Sequence, residues 1–347
     1  MNHAKDKNFV SRREHKQLRK EVLDILPIHL RGIFEQFPPE YADAVEEIRL
    51  RGERPLCVSM RNRDYYIDGR GMPLSHPAGA YQVKKEDIEK AFHLLTDYSV
   101  YALEEEIRNG FITIKGGHRV GLSGRVVLNG SSIRTMKEIS GLNIRISKQK
   151  LGVSDPIMKY LVQGTRQVYH TLIVSPPQCG KTTLLRDIIR NVSNGMESLN
   201  FQGLKVGVVD ERSEICGSYQ GIPQNDVGIR TDVLDACPKA DGIMMLIRSM
   251  SPQVIATDEV GKHEDVNAVE EALHAGIKLL TTVHGSSLEE IRKRPYLRGI
   301  LEMGVFERII LLSNLPRVGT IQAILDGSRQ EPIYKYAAVR EGEFIGD

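Results

Sequence analysis

Apolar residues in the first part of the chain recur at helical spacing. Four of them share one helical face just before Pro27: Leu18, Val22, Ile25 and Leu26. The proline ends that helix. Further helices are predicted over residues 84–95 and 100–109, the second closed by Gly110 as a left-handed cap. The N-terminal third of the chain is therefore predicted to contain at least three short helices.

Around these helices the spacing changes to strict alternation, which is typical of strands with one buried face. The strand-like segments are residues 46–50, 111–115, 118–128 and 142–146. Gly116 and Gly117 offer a tight hairpin turn, and Asn129 with Gly130 offers another. Helices and hairpins together predict a separate α+β domain over residues 21–150.

The pattern changes again from about residue 154, where short apolar runs alternate with helices. Four runs are rich in β-branched residues and bounded by turn or cap signals: residues 172–174, 206–209, 254–256 and 279–283. Such runs are typical of strands buried on both faces. The alternation predicts an α/β domain over residues 151–347, with a mostly parallel sheet and helices on both faces.

Composition and charge exclude fewer classes of function than the pattern of apolar residues does. The 347 residues include 47 Lys and Arg against 45 Asp and Glu, so a net charge of +2 gives no chain-wide attraction to nucleic acid. Basic residues concentrate in residues 1–20, which predicts a solvated arm able to contact phosphates or anionic lipid. No apolar run approaches the roughly 20 residues of a membrane span and no secretory signal is present, so we expect a cytoplasmic protein.

The most specific motif follows the first buried strand of the α/β domain. It matches the phosphate-loop pattern GxxxxGK[ST], except that a serine replaces the first glycine. Gly180 lets the backbone approach a phosphate, Lys181 can neutralise the β- and γ-phosphates, and Thr182 can coordinate Mg²⁺. The sequence therefore predicts ATP and Mg²⁺ as ligands of nine residues: Ser175, Pro176, Pro177, Gln178, Cys179, Gly180, Lys181, Thr182 and Thr183.

Acidic residues and a histidine stand at the ends of the other buried strands. Asp258 and Glu259 follow the third strand, and we expect Asp258 to hold Mg²⁺ and Glu259 to polarise the attacking water. Glu211 follows the second strand and His284 ends the fourth. Because the carboxyl ends of parallel strands face the ligand crevice, both are expected near the γ-phosphate or its water network.

Cys179 lies within the phosphate loop, beside Lys181 and the start of a helix. These surroundings favour a reactive thiolate, so mild oxidation of Cys179 could act as a brake on nucleotide binding. The alternative is a small residue that simply fits the turn, and the sequence favours this second interpretation.

With these motifs in this order, the chain resembles the ring-forming secretion ATPases of type II secretion, type IV pilus and type IV secretion systems. Their Walker A loop, Asp box, Walker B strand and His box correspond to residues 175–183, 210–214, 255–259 and 281–284. Arg248 and Pro252 match a segment that precedes the Walker B strand in that family. Two positions depart from it: Asp258 replaces a usual Gly, and Gly261 lies where an Arg is common.

A closer resemblance, over nearly the full length, is to the stage III sporulation AA family of endospore-forming bacteria. It is carried by Glu-Ile-Arg-Leu-Arg at 47–51, Gly-His-Arg-Val-Gly-Leu-Ser-Gly-Arg at 117–125, Leu-Asn-Ile-Arg-Ile at 142–146 and Pro-Pro-x-Cys-Gly-Lys-Thr-Thr at 176–183. The resemblance implies a P-loop ATPase domain of the RecA/AAA+ type. It also implies a mother-cell cytoplasmic ATPase that powers or assembles the channel to the forespore, associated with the membrane through embedded channel subunits.

The resemblance to secretion ATPases further implies a homo-oligomer, a hexamer by analogy, that hydrolyses Mg·ATP at subunit boundaries. Such enzymes draw additional arginines from the N-terminal domain, where the candidates are Arg119, Arg125 and Arg145. Two other classes stay open. A single-stranded nucleic-acid-dependent ATPase is disfavoured by 6% aromatic residues and no Trp for base stacking, so no nucleic acid is expected. A non-hydrolysing nucleotide-gated scaffold is disfavoured by intact Lys181, Thr182 and Glu259.

Overall fold

The computed structural model describes residues 18–61, 63–97, 99–261, 263–302 and 304–336. Most of the basic arm predicted at residues 1–20 therefore lies outside the described residues. The chain divides into two compact units, the first ending at Lys148 and the second beginning at Gln149. Within the described ranges, no helix combines the length and apolarity needed to cross a bilayer.

The N-terminal unit is built on a seven-stranded sheet in the described part of the chain. Its strands are β1 (Val45–Arg51), β2 (Arg54–Pro55), β3 (Cys57–Met60), β4 (Arg63–Ile67), β5 (Pro73–Leu74), β6 (Gln82–Val83), β7 (Phe111–Ile114), β8 (His118–Asn129) and β9 (Ser132–Arg145). Its helices are α1 (Lys20–Asp24), α2 (Ile28–Glu35), α3 (Pro39–Ala42), α4 (Lys85–Leu95) and α5 (Glu104–Arg108). The main sheet runs β5-β4-β3-β1-β9-β8-β7 with every neighbouring pair antiparallel, and β2 pairs with β6.

One face of this sheet is apolar because of the alternation in β1, β8 and β9. Ile48 pairs with Ile144, which pairs with Val120, and all three side chains are buried. The α+β prediction is confirmed. Two details differ from expectation. The last strand begins at Ser132, because its outer half pairs with β8 as a largely exposed ribbon and lacks the alternation that marks a buried face. The helix predicted over 100–109 begins as a 3₁₀ turn.

The C-terminal unit is built on an eight-stranded sheet within the described ranges. Its strands are β10 (Val162–Gln163), β11 (Gln167–Val168), β12 (Thr171–Ser175), β13 (Val206–Asp210), β14 (Thr231–Asp235), β15 (Val254–Thr257), β16 (Lys278–His284), β17 (Arg308–Ser313), β18 (Thr320–Asp326) and β19 (Pro332–Lys335). Its helices are α6 (Met158–Leu161), α7 (Lys181–Asn194), α8 (Lys239–Ser249), α9 (His263–His274), α10 (Leu288–Arg292) and α11 (Pro295–Glu302). The strand order is β14-β13-β15-β16-β12-β17-β18-β19, and β10 pairs separately with β11.

The first six strands in that order are parallel and the last two are antiparallel, which confirms the mostly parallel α/β sheet. Helix α7 packs on one face through Leu185 and Ile188, while α8 and α9 pack on the other through Ile243 and Val269. The four predicted buried strands, β12, β13, β15 and β16, are neighbours in the sheet. Their carboxyl ends therefore meet at one edge.

Candidate functional site

The loop between β12 and α7 forms the centre of this edge. Gly180 lies at the start of α7 with φ +84° and ψ 17°, a left-handed conformation that strains any residue with a Cβ. No side chain in the described part of the chain caps this 14-residue helix. Its first amides and the positive end of its dipole are therefore available to an anion.

Cys179 is packed against the core from within this loop. It is 1% exposed, and its Sγ donates a hydrogen bond of 3.5 Å to the carbonyl of Pro177. Ser175, which ends β12, donates its hydroxyl to the carbonyl of Pro176 at 2.8 Å. A thiol this inaccessible favours the interpretation that Cys179 fits the turn over the interpretation of a redox brake.

The loop lysine is buried against the acids that follow β15. Lys181 is 6% exposed, and its Nζ donates to Oδ1 of Asp258 at 3.2 Å and to Oε1 of Glu259 at 3.1 Å. The hydroxyl of Thr182 donates to Oδ2 of Asp258 at 2.6 Å. The structure thus brings together the two residues predicted to hold Mg²⁺ and the two predicted to act on the γ-phosphate and water.

Glu259 is the residue on which most of these contacts converge. Nε2 of His284 lies 2.6 Å from its Oε1, and Nη1 of Arg212 lies 3.6 Å from its Oε2. Burial alone raises the pKa of Glu259, but the ammonium of Lys181 and the imidazole of His284 outweigh burial and lower that pKa below its ordinary value. Glu259 therefore stays ionised, and the Nε2 of His284 carries the proton that faces it.

The backbone of Glu259 is unusual as well. Its φ is +56°, a left-handed conformation that is uncommon for a residue with a side chain and is concentrated at functional sites. Its N–H donates to the hydroxyl of Thr282 on β16 at 3.0 Å, and the same hydroxyl donates to Asp258. Thr282 therefore fixes the turn that aims both acids at the phosphate loop.

The strand end after β13 is organised differently. Asp210 is buried and accepts three backbone N–H groups, from Glu214, Ile215 and Cys216, at 2.8–3.0 Å. Burial raises the pKa of Asp210 to about 6 despite these hydrogen bonds. The next residue, Glu211, is paired with Lys239 of α8. The structure thus places Glu211 at the predicted edge, with its carboxylate held by a lysine on the neighbouring helix.

The three arginines predicted to act from the N-terminal domain all lie on β8 and β9. Arg119 stacks on the ring of Phe111 with its guanidinium 3.4 Å from the centroid. Arg125 pairs with Glu138 at 3.4 Å, and Arg145 lies 3.8 Å from Glu47. Each of these contacts is within the N-terminal unit.

Three further residues belong to the site although the sequence analysis did not single them out. Thr282 falls within the His box and Arg212 within the Asp box, but the sequence indicates no separate role for either residue. Arg186, on the second turn of α7, donates to the carbonyls of Glu214 and Ile215 and ties the phosphate-loop helix to the loop after β13. No spacing in the sequence indicates these contacts, because they depend on which strands are neighbours.

The donor set fits Mg²⁺ bound with a nucleotide. Mg²⁺ in proteins keeps several waters and binds through one or two protein oxygens together with substrate phosphates. The hydroxyl of Thr182 and the carboxylate of Asp258, 2.6 Å apart, provide such a pair next to Lys181. A buried strand, a glycine-started helix and acids on adjacent strand ends together define the P-loop NTPase class of α/β fold.

Within that class the chain belongs to the family described as "Sporulation stage III, protein AA", whose model matches residues 16–331. It is 42% identical to "Stage III sporulation protein AA" of Bacillus subtilis (strain 168) over 306 residues, covering 88% of this chain and 94% of that protein. It is also 29% identical to "Uncharacterized protein ycf45" of Porphyra purpurea over 215 residues, 61% of this chain and 36% of that protein. The resemblance to the sporulation family is thereby confirmed.

Among solved structures, the fold is similar to that of the Legionella pneumophila ATPase DotB. The TM-score is 0.53 at 15% identity, covering 82% of this chain and 76% of that chain. The Yersinia pseudotuberculosis ATPase DotB gives a TM-score of 0.50 at 14% identity, with 79% and 72% covered. At these identities the similarity concerns the fold, which agrees with the resemblance to secretion ATPases.

Proposed function

We propose that the C-terminal unit binds and hydrolyses Mg·ATP, and that this activity serves a sporulation apparatus. One observation carries the proposal: the ammonium of Lys181 contacts Asp258 and Glu259, and the hydroxyl of Thr182 contacts Asp258, at the start of a helix that no described side chain caps. A phosphate-binding lysine, a pair of Mg²⁺ ligands and a carboxylate for water are the parts that phosphoryl transfer to water needs.

Nucleotide binding begins with an exchange of partners by the lysine. In the structure the ammonium of Lys181 is held by two carboxylates. The phosphates offer it a stronger concentration of negative charge, together with the amides of α7, so the ammonium turns toward them. Thr182 and Asp258 would hold Mg²⁺, which supplies charge neutralisation on the phosphates when bound.

Hydrolysis needs a water oxygen to bond to the γ-phosphorus while the bond to the bridging oxygen breaks and its electron pair stays with ADP. Glu259 accepts a hydrogen bond from that water and orients it. Carboxylates are weak bases, so the water's proton passes on to the phosphate product or solvent rather than staying on Glu259. His284 holds the carboxylate in one orientation through its 2.6 Å contact.

The proposal extends to assembly and location. We propose a homo-oligomer, a hexamer, in which Arg119, Arg125 and Arg145 of one subunit face the nucleotide of the next. Membership of a sporulation stage III family supports a mother-cell cytoplasmic protein that works with membrane-embedded subunits of a channel to the forespore. The ATPase DotB, which has a similar fold, supports the activity.

Phosphate release from ATP by the purified full chain tests the proposal, with Lys181→Ala as the blank. We expect Mg²⁺-dependent turnover in the wild type, none in the variant, and no stimulation by single-stranded DNA. Turnover should also be measured with anionic vesicles, and the mass of the oligomer should be determined. Strong stimulation by DNA would favour a nucleic-acid-dependent ATPase, and no turnover under any condition would favour a nucleotide-gated scaffold.

A further inference from the structure

The backbone around Arg212 is fixed on both sides. Asp210, two residues before it, accepts three N–H groups of the loop, and Glu211 is paired with Lys239. On the other side, the hydroxyl of Ser213 donates to Asp235 at the end of β14 at 2.7 Å. Arg212 therefore projects from a short, anchored segment.

That segment is also tied to the helix that begins at the phosphate loop. Arg186 of α7 donates its guanidinium hydrogens to the carbonyls of Glu214 and Ile215. The first turn of the same helix carries Lys181 and Thr182. Hydrogen bonds thus connect the backbone segment that carries Arg212 with the helix that carries the phosphate-binding residues.

The side chain of Arg212, in contrast, is free to change partners. It is 65% exposed, and its guanidinium lies 3.6 Å from Oε2 of Glu259. An exposed ion pair at this distance contributes little to stability. The other oxygen of Glu259 is already occupied by Lys181 and His284. The backbone of Arg212 is therefore fixed, and its ion pair with Glu259 is weak. Its guanidinium lies beside the carboxylate oxygen of Glu259 that Lys181 and His284 do not occupy.

We infer that Arg212 is the second cation of this active site and acts, within the same subunit, on the terminal phosphoryl group of bound ATP. The inference rests on the proposed hydrolysis. When Lys181 turns to the phosphates, Glu259 loses its ion pair with that lysine. The guanidinium of Arg212 is then the cation next to Glu259. Negative charge spreads over the γ-phosphoryl oxygens during transfer, and a guanidinium held on an ordered segment stabilises that charge with little ordering cost.

Arg298 provides a matched control for removing Arg212. Its guanidinium also lies 3.6 Å from a carboxylate, that of Glu302, and its side chain is 58% exposed, but it lies on α11. Arg212→Ala should lower kcat about 10³-fold and leave KM and ADP affinity within about twofold, as expected for a charge used during transfer. Arg212→Lys should retain part of the rate, because it keeps the charge and loses the planar fork. Arg298→Ala should behave as the wild type.

A second measurement separates an effect on transfer from an effect on folding. ADP with aluminium fluoride mimics the transferring phosphoryl group, and transition-state analogues gain affinity from groups that act during transfer. Arg212→Ala should bind this complex at least about 100-fold more weakly than the wild type while binding ADP alone equally well.

Turnover and analogue affinity of Arg212→Ala within about threefold of the wild type would overturn the inference and leave the proposed hydrolysis intact. Parallel loss of ADP affinity would also overturn it, because Arg212 would then support the loop rather than the reaction. Absence of turnover in the wild type itself would contradict the proposed function, and the inference would fall with it.

Discussion

The two sheets of this chain distribute their charged residues in opposite ways. In the parallel sheet, β13, β15, β16 and β12 are neighbours, so the polar residues that follow them meet at one edge. In the antiparallel sheet, charged residues spread along one face of β1, β8 and β9 as separate pairs such as Arg145 with Glu47. A parallel sheet thus brings residues from separate short motifs together in one site, whereas the antiparallel sheet leaves its charged pairs apart.

The pairs also differ in burial and therefore in strength. Lys181 is almost fully buried between Asp258 and Glu259, where neighbouring charges act strongly. Arg125 and Glu138 are both largely exposed, so solvent and salt screen their attraction. Perturbing the parallel edge should therefore have the larger effects, and perturbing the antiparallel face the smaller ones.

Removing the charge of Glu259 should give the largest effect. Glu259→Gln keeps the size of the side chain but weakens its hold on the water, and we expect kcat to fall about 10³- to 10⁴-fold with ADP still bound. Steady-state phosphate release and a nucleotide titration measure the two quantities. Glu271→Gln, at an exposed carboxylate of α9, is the control. A Glu259→Gln rate above about a tenth of the wild-type rate would contradict the role.

Arg125→Ala extends the comparison to the antiparallel face. If Arg125 serves the nucleotide of a neighbouring subunit, the variant should bind ATP normally and lose hydrolysis by about 10²-fold, the size expected for one stabilising donor. Turnover should be measured across protein concentrations that change the oligomeric state. Arg63→Ala, on β4 of the same sheet, is the matched control. Wild-type turnover in Arg125→Ala would remove this arginine from the site.

One histidine in each unit, the buried His118 and the half-buried His170, offers a direct comparison of pH dependence. Burial lowers the pKa of His118 and of His170 to about 4, and a nearby cation adds to the shift in each case. Nδ1 of His118 accepts the N–H of Ser147 at 3.0 Å, and Nδ1 of His170 accepts that of Leu279 at 3.2 Å. Protonation would break these bonds, so the folded chain resists it.

Stability should therefore fall on acidification. Between pH 6.5 and pH 4 the unfolded chain binds a proton at each of these histidines and the folded chain does not, so the free energy of unfolding decreases as pH falls. The loss from pH 7 to pH 5 should be on the order of 2 kcal/mol for His118 and smaller for the half-buried His170, where solvent screens part of the effect. Denaturant titrations of His118→Gln and His170→Gln should each show a shallower pH dependence than the wild type. The exposed His76→Gln should not, and equal slopes in all four proteins would contradict this account.

The smallest effect should come from oxidising the thiol in the phosphate loop. Because Cys179 is buried, mild treatment with diamide should leave ADP affinity within about twofold of its starting value. Cys179→Ser, titrated in parallel, controls for effects at other cysteines. A large loss of affinity that a reductant reverses, and that is absent in Cys179→Ser, would restore the redox interpretation.

Local features of the chain could be predicted from its sequence, whereas contacts between distant residues could not. The phosphate loop and the buried strands were predictable because their signals are local: a motif of adjacent residues and short β-branched runs. The contact between Arg212 and Glu259 was not, since it joins residues 47 positions apart through the strand order β13-β15. The full length of β9 was also missed, because its outer half is largely exposed and lacks the alternation of a strand with one buried face.

The proposed nucleotide site can be tested by calorimetric titration of the full chain with ADP in the presence of Mg²⁺. We expect binding to the wild type and an affinity at least about 100-fold weaker for Lys181→Ala, because the ammonium that would contact the phosphates is missing from the variant. A well-folded wild-type chain with no affinity for ADP or ATP would contradict the proposed nucleotide site.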